Sequence, residues 1–495
     1  MSSSQTMQEK VVRSGVVAII LTFLGSVCAY LVRILYSHTL TIEDYGLFYA
    51  TFALVNAATV YTDLGFGYSV AYFMPKYLKL KSYSKAWNIF IYGQVISLIM
   101  AVILSVIFAF FAPFLAKNYL KVTGSENLIY VFCIYLTAFA VINGLILIYS
   151  SLQKAKYYSS ITLSRWLFTL IFSVFFFLFD LPNVIFYAAA WAFGHILTVG
   201  IFLYLLHANH SFLTNNKIVW EMKTFKLLLT MALPALAETV ISIVIITDTF
   251  FLTLFKGVKE VGIYNIIYPL AFIPVILFSP INTLLLPMVS HLMEGEKHSL
   301  KYLLQKILEI IPFMGLYFAL FLAISPSYIV SVVFGQKWSG LVEIPLTVLS
   351  VGTIAILLNG ILGAVILGIG KVRERLKVAA AMAVIGVGLN AFLIWYYGVL
   401  GATVAISIAA LIISAMYIKI LKSSLNFSIP VLFYLKLLIF SITIYILVKY
   451  LNIQPSNWFE FIGFGFIYTI IFLLFGYLIK LIDKRLVGLL LGKKF

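Results

Sequence analysis

The sequence is poor in charged residues and in long polar segments. Of its 495 residues only 10% are charged and 63% are hydrophobic, whereas a soluble globular chain carries about 25% charged and roughly 45 to 50% apolar residues. Apolar runs follow one another almost from end to end, and about 20 apolar residues are enough for one membrane-spanning helix. The composition therefore argues against a soluble protein and predicts an all-α integral membrane protein.

Residues that carry most enzymatic chemistry are also scarce. The two cysteines, Cys28 and Cys133, lie inside apolar runs, and the six histidines are scattered, mostly in or near loops. This pattern argues against a disulfide pair and against the usual spacing of metal ligands. The sequence contains neither a P-loop nor a nucleophile elbow. It therefore predicts a protein that is not an enzyme and has no cofactor.

Basic residues outnumber acidic ones, and the net charge is +17. They lie in short loops beside apolar runs, where lysine and arginine orient helices and attract anionic membrane lipid, so nucleic acid is not an expected partner. If the N-terminus is cytoplasmic, the inner loops and tails hold most of the 34 basic residues. The outer loops then hold only Lys117, Lys121, Lys256, Lys259, Lys337 and Lys449. The positive-inside rule therefore predicts a cell-membrane protein with both termini cytoplasmic.

The apolar runs, divided at polar turns, predict fourteen transmembrane helices. Their predicted bounds are 15–36, 45–70, 86–111, 128–150, 158–179, 184–206, 226–255, 261–288, 303–325, 341–369, 375–397, 399–421, 431–450 and 459–482.

Three short segments recur in the same order in the two halves of the chain. The matching pairs are Gly46 in EDYGLFY with Gly262 in KEVGIYN, Pro75 with Pro287, and LQKAK at 152–156 with LGIGK at 367–371. The separations of the three pairs are nearly equal, and each pair falls on the same side of the membrane. This recurrence indicates a duplicated half, as transporters often have.

An even number of helices in each half makes both halves enter the membrane in the same direction. The sequence therefore predicts two six-helix lobes related by a pseudo-two-fold axis along the membrane normal, with a cavity between them and two extra C-terminal helices. The predicted parts are an N-terminal lobe 1–210 (helices 1–6), an inter-lobe cytoplasmic loop 211–225, a C-terminal lobe 226–422 (helices 7–12), and 423–495 with helices 13–14 and a cytoplasmic tail.

The order of these short motifs resembles a known family. The stretch SGVVAIILTFLGSVCAYLVRILYSHTLTIEDYGLFYATFAL, followed by TDLGFGYSVAYFMPKY, resembles the start of the polysaccharide transporters and lipid-linked oligosaccharide flippases. These belong to the multidrug/oligosaccharidyl-lipid/polysaccharide exporter superfamily, which includes the Wzx-type O-antigen flippases. Further matches, among them VKEVGIYNIIYPL, LLLPMVSHL and AVILGIGKVRERLKVAA, run the length of the chain. The resemblance implies two lobes, alternating access, a lipid-linked glycan as substrate, and association with glycan-assembly enzymes.

Two arginines lie inside the predicted spans. Arg33 lies about 27 Å along its helix from Gly15, near the outer edge, where it either faces Glu43 or Asp44 at the interface or serves as a cation of the cavity. Arg165 lies roughly 10 to 12 Å into the fifth span, where it either faces the cavity or forms a structural ion pair. A guanidinium can bind two phosphate oxygens at once. Both arginines are therefore candidate residues for binding a pyrophosphate-bearing lipid headgroup.

Carboxylates inside the spans are candidate ion-coupling residues. They are Asp63, Glu238 and Asp248. Glu238 lies about 18 Å into the seventh span, near the midplane and one turn after Pro234. A carboxylate at that depth can be neutralised by Na⁺ or H⁺ during transport; alternatively, it is paired with Arg165 or held protonated.

Prolines mark candidate hinges. The eighth span, GIYNIIYPLAFIPVILFSPINTLLLP, contains Pro269, Pro274 and Pro280. Proline removes a helical hydrogen bond, so this span cannot be a straight helix. Together with Pro234, these prolines are the predicted hinge positions.

Three functions remain open from the sequence, with an ion-coupled lipid-linked oligosaccharide flippase for surface polysaccharide biosynthesis as the first choice. An exporter of small amphipathic cations, as in the multidrug branch, would have an acid-dominated cavity without a deep arginine. A membrane glycosyltransferase or polymerase acting on the same carrier would need a large outer loop with catalytic carboxylates. No loop between the predicted spans is long enough for that.

The charge bias predicts the membrane side of two loops. Cysteines introduced at Lys81 and Arg373 should react with a membrane-impermeant thiol reagent only after the membrane is opened, because both loops are predicted to be cytoplasmic. A cysteine at Lys121, in a predicted outer loop, is the matched control and should react in intact cells. Labelling of either inner position in intact cells would overturn the topology.

Overall fold

The computed structural model describes residues 2–243, 247–295, 297–450 and 458–478, with most of their side chains. Within these ranges the chain is helical, with short turns between helices and no β-strand. The all-α class predicted from composition is therefore confirmed. The chain divides into two compact units, Met1–Gly262 and Ile263–Phe495. The lobes 1–210 and 226–422 have different bounds from these units and stay a prediction.

The helices of the first unit are α1 (Ser2–Thr39), α2 (Ile42–Thr62), α3 (Phe66–Lys79), α4 (Tyr83–Leu115, continued by a π-turn at Ala116–Leu120), α5 (Glu126–Ser151), α6 (Ala155–Leu178), α7 (Val184–Asn209), α8 (Ser211–Thr214), α9 (Met222–Ile243) and α10 (Asp248–Lys256). Helix α11 (Val258–Ala271) begins in the first unit and ends in the second. The remaining helices are α12 (Ile273–Gly295), α13 (Lys297–Ile324), α14 (Pro326–Phe334), α15 (Ser339–Gly368), α16 (Val372–Leu425), α17 (Val431–Tyr450) and α18 (Trp458–Leu478).

Most of these helices are long and apolar enough to cross a membrane. The described part of the chain has 9 such helices, or 10 when the bent pair α11–α12 is taken as one span. Their apolar length confirms a multi-pass membrane protein. The exact number of fourteen spans and their arrangement in two lobes remain predictions.

Several predicted spans are interrupted by breaks in the backbone. The predicted helix 45–70 is divided into α2 and α3 by a turn in which Gly65 has a positive φ of 80°. Helices α11 and α12 meet at a bend of 42°, which lies between Pro269 and Pro274, so this predicted span is indeed not straight. In α16 the single residue with non-helical φ and ψ is Gly398, which is where the sequence predicts one span to end and the next to begin.

Each unit buries its own apolar core. In the first unit, buried side chains of α3, α4, α5, α7 and α9 pack together, with Met74 and Ile148 fully buried. In the second unit, one cluster lies between α12, α13, α15 and α16, and another joins α13 to α17 and α18. The rings of Phe440 and Phe472 are fully buried in the latter. The two C-terminal helices are therefore packed onto α13.

The first repeat pair meets in space. A Cβ atom added to Gly46 on α2 would lie 1.9 Å from the carbonyl oxygen of Val258, and one added to Gly262 would lie 3.3 Å from the Cα of Gly46. Real Cβ atoms do not approach other atoms as closely as the first of these distances, so only glycine permits this backbone contact between α2 and α11. The two glycines that match in the sequence repeat are therefore in direct contact.

This contact predicts a stability effect. Gly46→Ala should destabilise the protein by about 1 to 3 kcal/mol, because the added methyl group must push two backbones apart. Gly200→Ala on α7 is the matched control, since a Cβ there meets no atom within 4 Å, and it should be neutral or slightly stabilising. Thermal unfolding of the purified variants in one detergent measures both. Equal melting temperatures for the two variants would contradict the close contact.

Candidate substrate site

Arg165 on α6 lies among aromatic side chains of α5, α6 and α7. Its Cζ atom is 5.9 Å from the ring centroid of Phe139 and 5.7 Å from that of Trp166. Tyr135 and His195 lie close enough to the guanidinium to interact with it electrostatically. Ring faces within about 6 Å of a cation attract it. The aromatic residues therefore hold the guanidinium in place without neutralising its charge.

The charge of Arg165 has no acidic partner in the described part of the chain. The side chain is half-buried, its Nε is buried without a hydrogen-bond partner, and it forms no ion pair with another described residue. The side chain of Glu238, its predicted alternative partner, lies outside the described residues. A buried donor without an acceptor is rare in native proteins and indicates a water or ligand atom.

The neighbours of Arg165 are themselves fixed by hydrogen bonds. His195 Nδ1 lies 2.7 Å from the carbonyl oxygen of Trp191, one turn earlier on α7. The imidazole ring packs edge-on against Tyr135 with centroids 4.8 Å apart. The hydroxyl of Tyr135 donates to Asn56 Oδ1 on α2 over 3.5 Å. Helices α2, α5 and α7 therefore contribute hydrogen-bonded or packed side chains to this side of Arg165.

Arg33 lies at the far end of α1, beside tyrosines. Its Cζ is 4.4 Å from the ring centroid of Tyr49, and Tyr45 and Tyr30 also interact with it. Thr41, in the turn between α1 and α2, caps α2 because its side-chain oxygen accepts the backbone N–H of Asp44. In return, the Thr41 hydroxyl donates to the Asp44 carboxylate at 2.7 Å. Asp44 thus has a capping role of its own, as expected for an acid in the first turn of a helix.

The two arginines lie on neighbouring helices that run side by side. A Cβ on Gly25 of α1 would lie 3.2 Å from the backbone of Leu163 on α6, and the Tyr36 hydroxyl is 2.7 Å from Ser173 Oγ. This register places Arg33 about 8 Å further along the helices than Arg165. The two cations therefore occupy successive levels of the same helix pair.

A row of aromatic rings connects these two levels. The ring centroids of Tyr49 and Phe48 are 5.2 Å apart, those of Phe48 and Trp191 are 5.2 Å apart, and those of Trp191 and Trp166 are 5.1 Å apart. Phe48 and Trp191 are buried, so they are a packed scaffold rather than an open surface for stacking sugars. Sequence reasoning missed this row, because aromatic residues are abundant throughout the chain and no spacing distinguishes these four.

The predicted ion-coupling residues lie in different surroundings. Asp63 follows the last residue of α2, and its Oδ1 accepts the backbone N–H of Gly65 at 2.9 Å. Asp248 is the first residue of α10 and is buried, a position where the helix dipole stabilises a carboxylate. The side chain of Glu238 lies outside the described residues, as do those of Pro234 and Pro280.

A wide apolar groove lies in the second unit between α13, α15, α16 and α17. Its volume is about 970 Å³, and among its lining residues are Val351, Leu358, Leu411 and Leu437. Drug-sized ligand sites range over about 300 to 1,000 Å³. The groove is therefore large enough for a long apolar chain, and sequence patterns alone did not reveal it.

Known proteins share this fold. The lipid II flippase MurJ in an inward closed conformation superposes with a TM-score of 0.72 at 16% identity, covering 94% of this chain and 99% of that one. A multidrug resistance MATE family transporter of the MOP superfamily, in an inward-facing conformation, gives a TM-score of 0.64 at 15% identity, covering 83% of this chain and 98% of that one. At these identities the likeness shows the fold.

Sequence comparison identifies the family. An uncharacterized membrane protein of Methanocaldococcus jannaschii is 24% identical over 411 residues, which are 80% of this chain and 81% of the relative. The family model described as "Polysaccharide biosynthesis protein" matches residues 11–293, more than half of the chain. The resemblance found in the order of the sequence motifs is thereby confirmed, and the chain belongs to the polysaccharide biosynthesis protein family.

Proposed function

We propose that this protein is a flippase that moves a lipid-linked oligosaccharide, on a polyprenyl-phosphate-type carrier, from the inner to the outer leaflet. The observation that carries the proposal is Arg165, a half-buried cation whose Nε has no partner among the described residues. A charged side chain inside a membrane costs between about 2.5 and 17 kcal/mol, depending on the method. The Arg165 charge carries this cost and has no described carboxylate beside it. Such a cation suits an anionic ligand such as the phosphates of the carrier lipid.

The groove of the second unit supports a lipid-linked substrate. The lining side chains are mostly aliphatic, so the groove offers few of the polar partners that a free sugar needs when it leaves water. A prenyl chain is as apolar as the surrounding lipid and loses no hydrogen bonds when it enters the groove. The groove therefore suits the lipid chain of such a substrate better than it suits a free sugar.

Family membership and the shared fold support the rest of the proposal. The protein with which the fold superposes over 94% of this chain is described as a lipid II flippase, and the family is one of polysaccharide biosynthesis. We infer alternating access between two six-helix lobes, fourteen spans, cytoplasmic termini and coupling to Na⁺ or H⁺. Association with glycan-assembly enzymes follows from the same inference.

Export of small amphipathic cations is the second candidate, and the described charges disfavour it. Such a substrate needs accessible carboxylates, but Asp63 accepts backbone N–H groups in a turn and Glu309 is paired with Lys306 at 2.7 Å. Arg165 would repel a cation directly. A glycosyltransferase or polymerase is the third candidate, and the proteins of similar fold named above are transporters.

Substitution of Arg165 tests the proposal. Arg165→Ala should weaken substrate binding and flipping by about 10- to 100-fold, because a hydrogen bond to a charged group contributes about 1.5 to 3 kcal/mol. Arg165→Lys should restore only part of the activity, since an ammonium keeps the charge but lacks the two-pronged geometry. The measurement is flipping of a lipid-linked oligosaccharide in proteoliposomes, with Arg373→Ala as the matched control, since Arg373 is exposed in the first turn of α16.

Protein abundance separates the functional from the structural role of Arg165. If Arg165 instead neutralises a buried carboxylate, its loss would cost about 3 to 5 kcal/mol and the protein would disappear from the membrane. Arg33→Ala should reduce flipping more mildly at normal abundance, because Arg33 lies near the end of its span. Wild-type flipping by the Arg33→Ala, Arg165→Ala double variant would overturn the proposal.

The groove predicts a dependence on the length of the carrier lipid. Leu411→Gln should lower affinity for a long-chain carrier several-fold and leave a short-chain analogue unaffected, because a polar amide replaces apolar contact. Val384→Gln is the matched control, since Val384 is exposed on the same helix α16 but does not line the groove. Competition binding with carriers of two lengths measures the effect. An equal loss for both carriers, or for both variants, would exclude the groove as the lipid site.

A further inference from the structure

A small cavity with four polar side chains in its lining lies at the break between α2 and α3. Its volume is about 20 Å³, which is room for one water molecule or one small cation. Asp63 lines it from the break, Gln94 and Ser97 line it from α4, and Asn143 lines it from α5. Four side chains with oxygen atoms, from three segments of the chain, thus line a space of ionic size together with the apolar side chains of Val70, Phe90 and Leu147.

Two of these polar side chains have no partner in the described part of the chain. Ser97 is only 6% exposed, and neither Ser97 nor Asn143 makes a hydrogen bond to another described residue. A buried hydroxyl normally bonds to a backbone carbonyl one turn earlier or to a neighbouring side chain. Their oxygens are therefore available to a guest in the cavity.

Two glycines lie against polar atoms that border the cavity. A Cβ on Gly67 would lie 2.4 Å from Asp63 Oδ2, and a Cβ on Gly144 would collide with Gln94 Oε1. Any other residue at either position would displace a polar oxygen that borders the space. The two glycines thus allow the carboxylate and the amide to approach the backbone of the neighbouring segment.

The backbone around the cavity favours a positive charge. The break places the C-terminal end of α2 at Asp63, and the carbonyl end of a helix carries a partial negative charge. Discontinuous membrane helices commonly use such ends, together with carboxylates, to coordinate Na⁺. Asp63 Oδ1 accepts the backbone N–H of Gly65 at 2.9 Å, and the carboxylate also interacts with the backbone N–H of Gly67. Each carboxylate oxygen can accept more than one bond.

We propose that this cavity is a sodium site, with Asp63, Ser97, Asn143 and Gln94 supplying oxygen ligands. Its role as the coupling site rests on the proposed transport function, whereas sodium binding itself does not. Bound Na⁺ compensates the carboxylate that caps the α2–α3 break and thereby stabilises one geometry of that break. Loss of Na⁺ leaves the carboxylate uncompensated and favours a different geometry.

The site is connected to Arg165 through one face of α5. Tyr135 and Phe139 contact Arg165, and Asn143 follows Phe139 by four residues. Residues four apart lie on the same helix face, about 6 Å further along the axis. A change at the cavity can therefore be transmitted along one turn of α5 to Tyr135 and Phe139, which lie beside the Arg165 guanidinium.

Sodium binding is measured on the purified protein without any glycan. The melting temperature should rise with Na⁺ concentration at constant ionic strength and should not rise with K⁺ or choline, because a ligand of the folded state stabilises it by mass action. Ser97→Ala and Asn143→Ala should each raise the apparent Kd for Na⁺ by about tenfold or more. Asp63→Asn should abolish the dependence on Na⁺.

The matched control is Ser105→Ala, two turns along α4 from Ser97, since the Ser105 hydroxyl already bonds to the carbonyl oxygen of Cys133 at 3.1 Å. It should bind Na⁺ as the wild type does. If Asp63→Asn fails to fold, Ser97→Ala and Asn143→Ala still decide the question, because neither removes a hydrogen bond seen in the structure. A wild-type melting temperature that does not change with Na⁺ concentration, or that changes only with pH, would overturn the site. Unchanged Na⁺ binding in Ser97→Ala and Asn143→Ala would overturn it as well. If the protein binds Na⁺ as expected but does not flip a lipid-linked oligosaccharide, the result counts against the proposed function and not against the sodium site.

Discussion

A guanidinium inside an apolar span is the constraint on which the arrangement of the first unit depends. Water is absent from the hydrocarbon, so the charge of Arg165 must be held by ring faces, polar edges or a ligand. Helices α5 and α6 supply the rings of Phe139 and Trp166 within the 6 Å range of a cation–π contact. No described carboxylate is paired with it, which is the observation behind the proposal that the charge serves a ligand.

The second requirement is that every backbone group released at a helix break finds a partner. At the α2–α3 break the Asp63 carboxylate accepts the N–H of Gly65, and Gly65 tolerates the positive φ of 80°. The same glycine lets α9 approach, since a Cβ there would lie 2.2 Å from the carbonyl oxygen of Ala232. One short sequence, Asp-Leu-Gly, therefore forms the break, caps it and packs it against the neighbouring helix.

Much of the fold could be predicted from the sequence because a membrane enforces length and apolarity on each span. The turn at Gly398 was predictable for that reason, and the pairing of Gly46 with Gly262 was visible as a repeat. The α2–α3 break was not predicted, because the apolar run continues through it and a single glycine in a membrane helix is common.

The candidate site was only partly predictable for a different reason. Depth along a helix identified Arg33 and Arg165, since a charge in an apolar run stands out. Their aromatic surroundings, and the cavity lined by Ser97 and Asn143, depend on which faces of three or four helices meet. Neutral polar residues lower the stability of a membrane span only a little, so they are common in spans. Their sequence pattern therefore does not distinguish a side chain that coordinates an ion from one that only packs against its neighbours.

The geometry of α5 places the two proposed sites on one helix. Tyr135, Phe139 and Asn143 are spaced by four residues, so the surroundings of Arg165 and the cavity at Asp63 share one helix face. In a medium of low dielectric constant, opposite charges attract far more strongly than they do in water. Under the two proposals above, an anion at Arg165 would therefore favour a cation at Asp63, and the reverse would hold by reciprocity. Since Asp63 also accepts the Gly65 N–H at the α2–α3 break, a cation bound there would also bear on the conformation of the break.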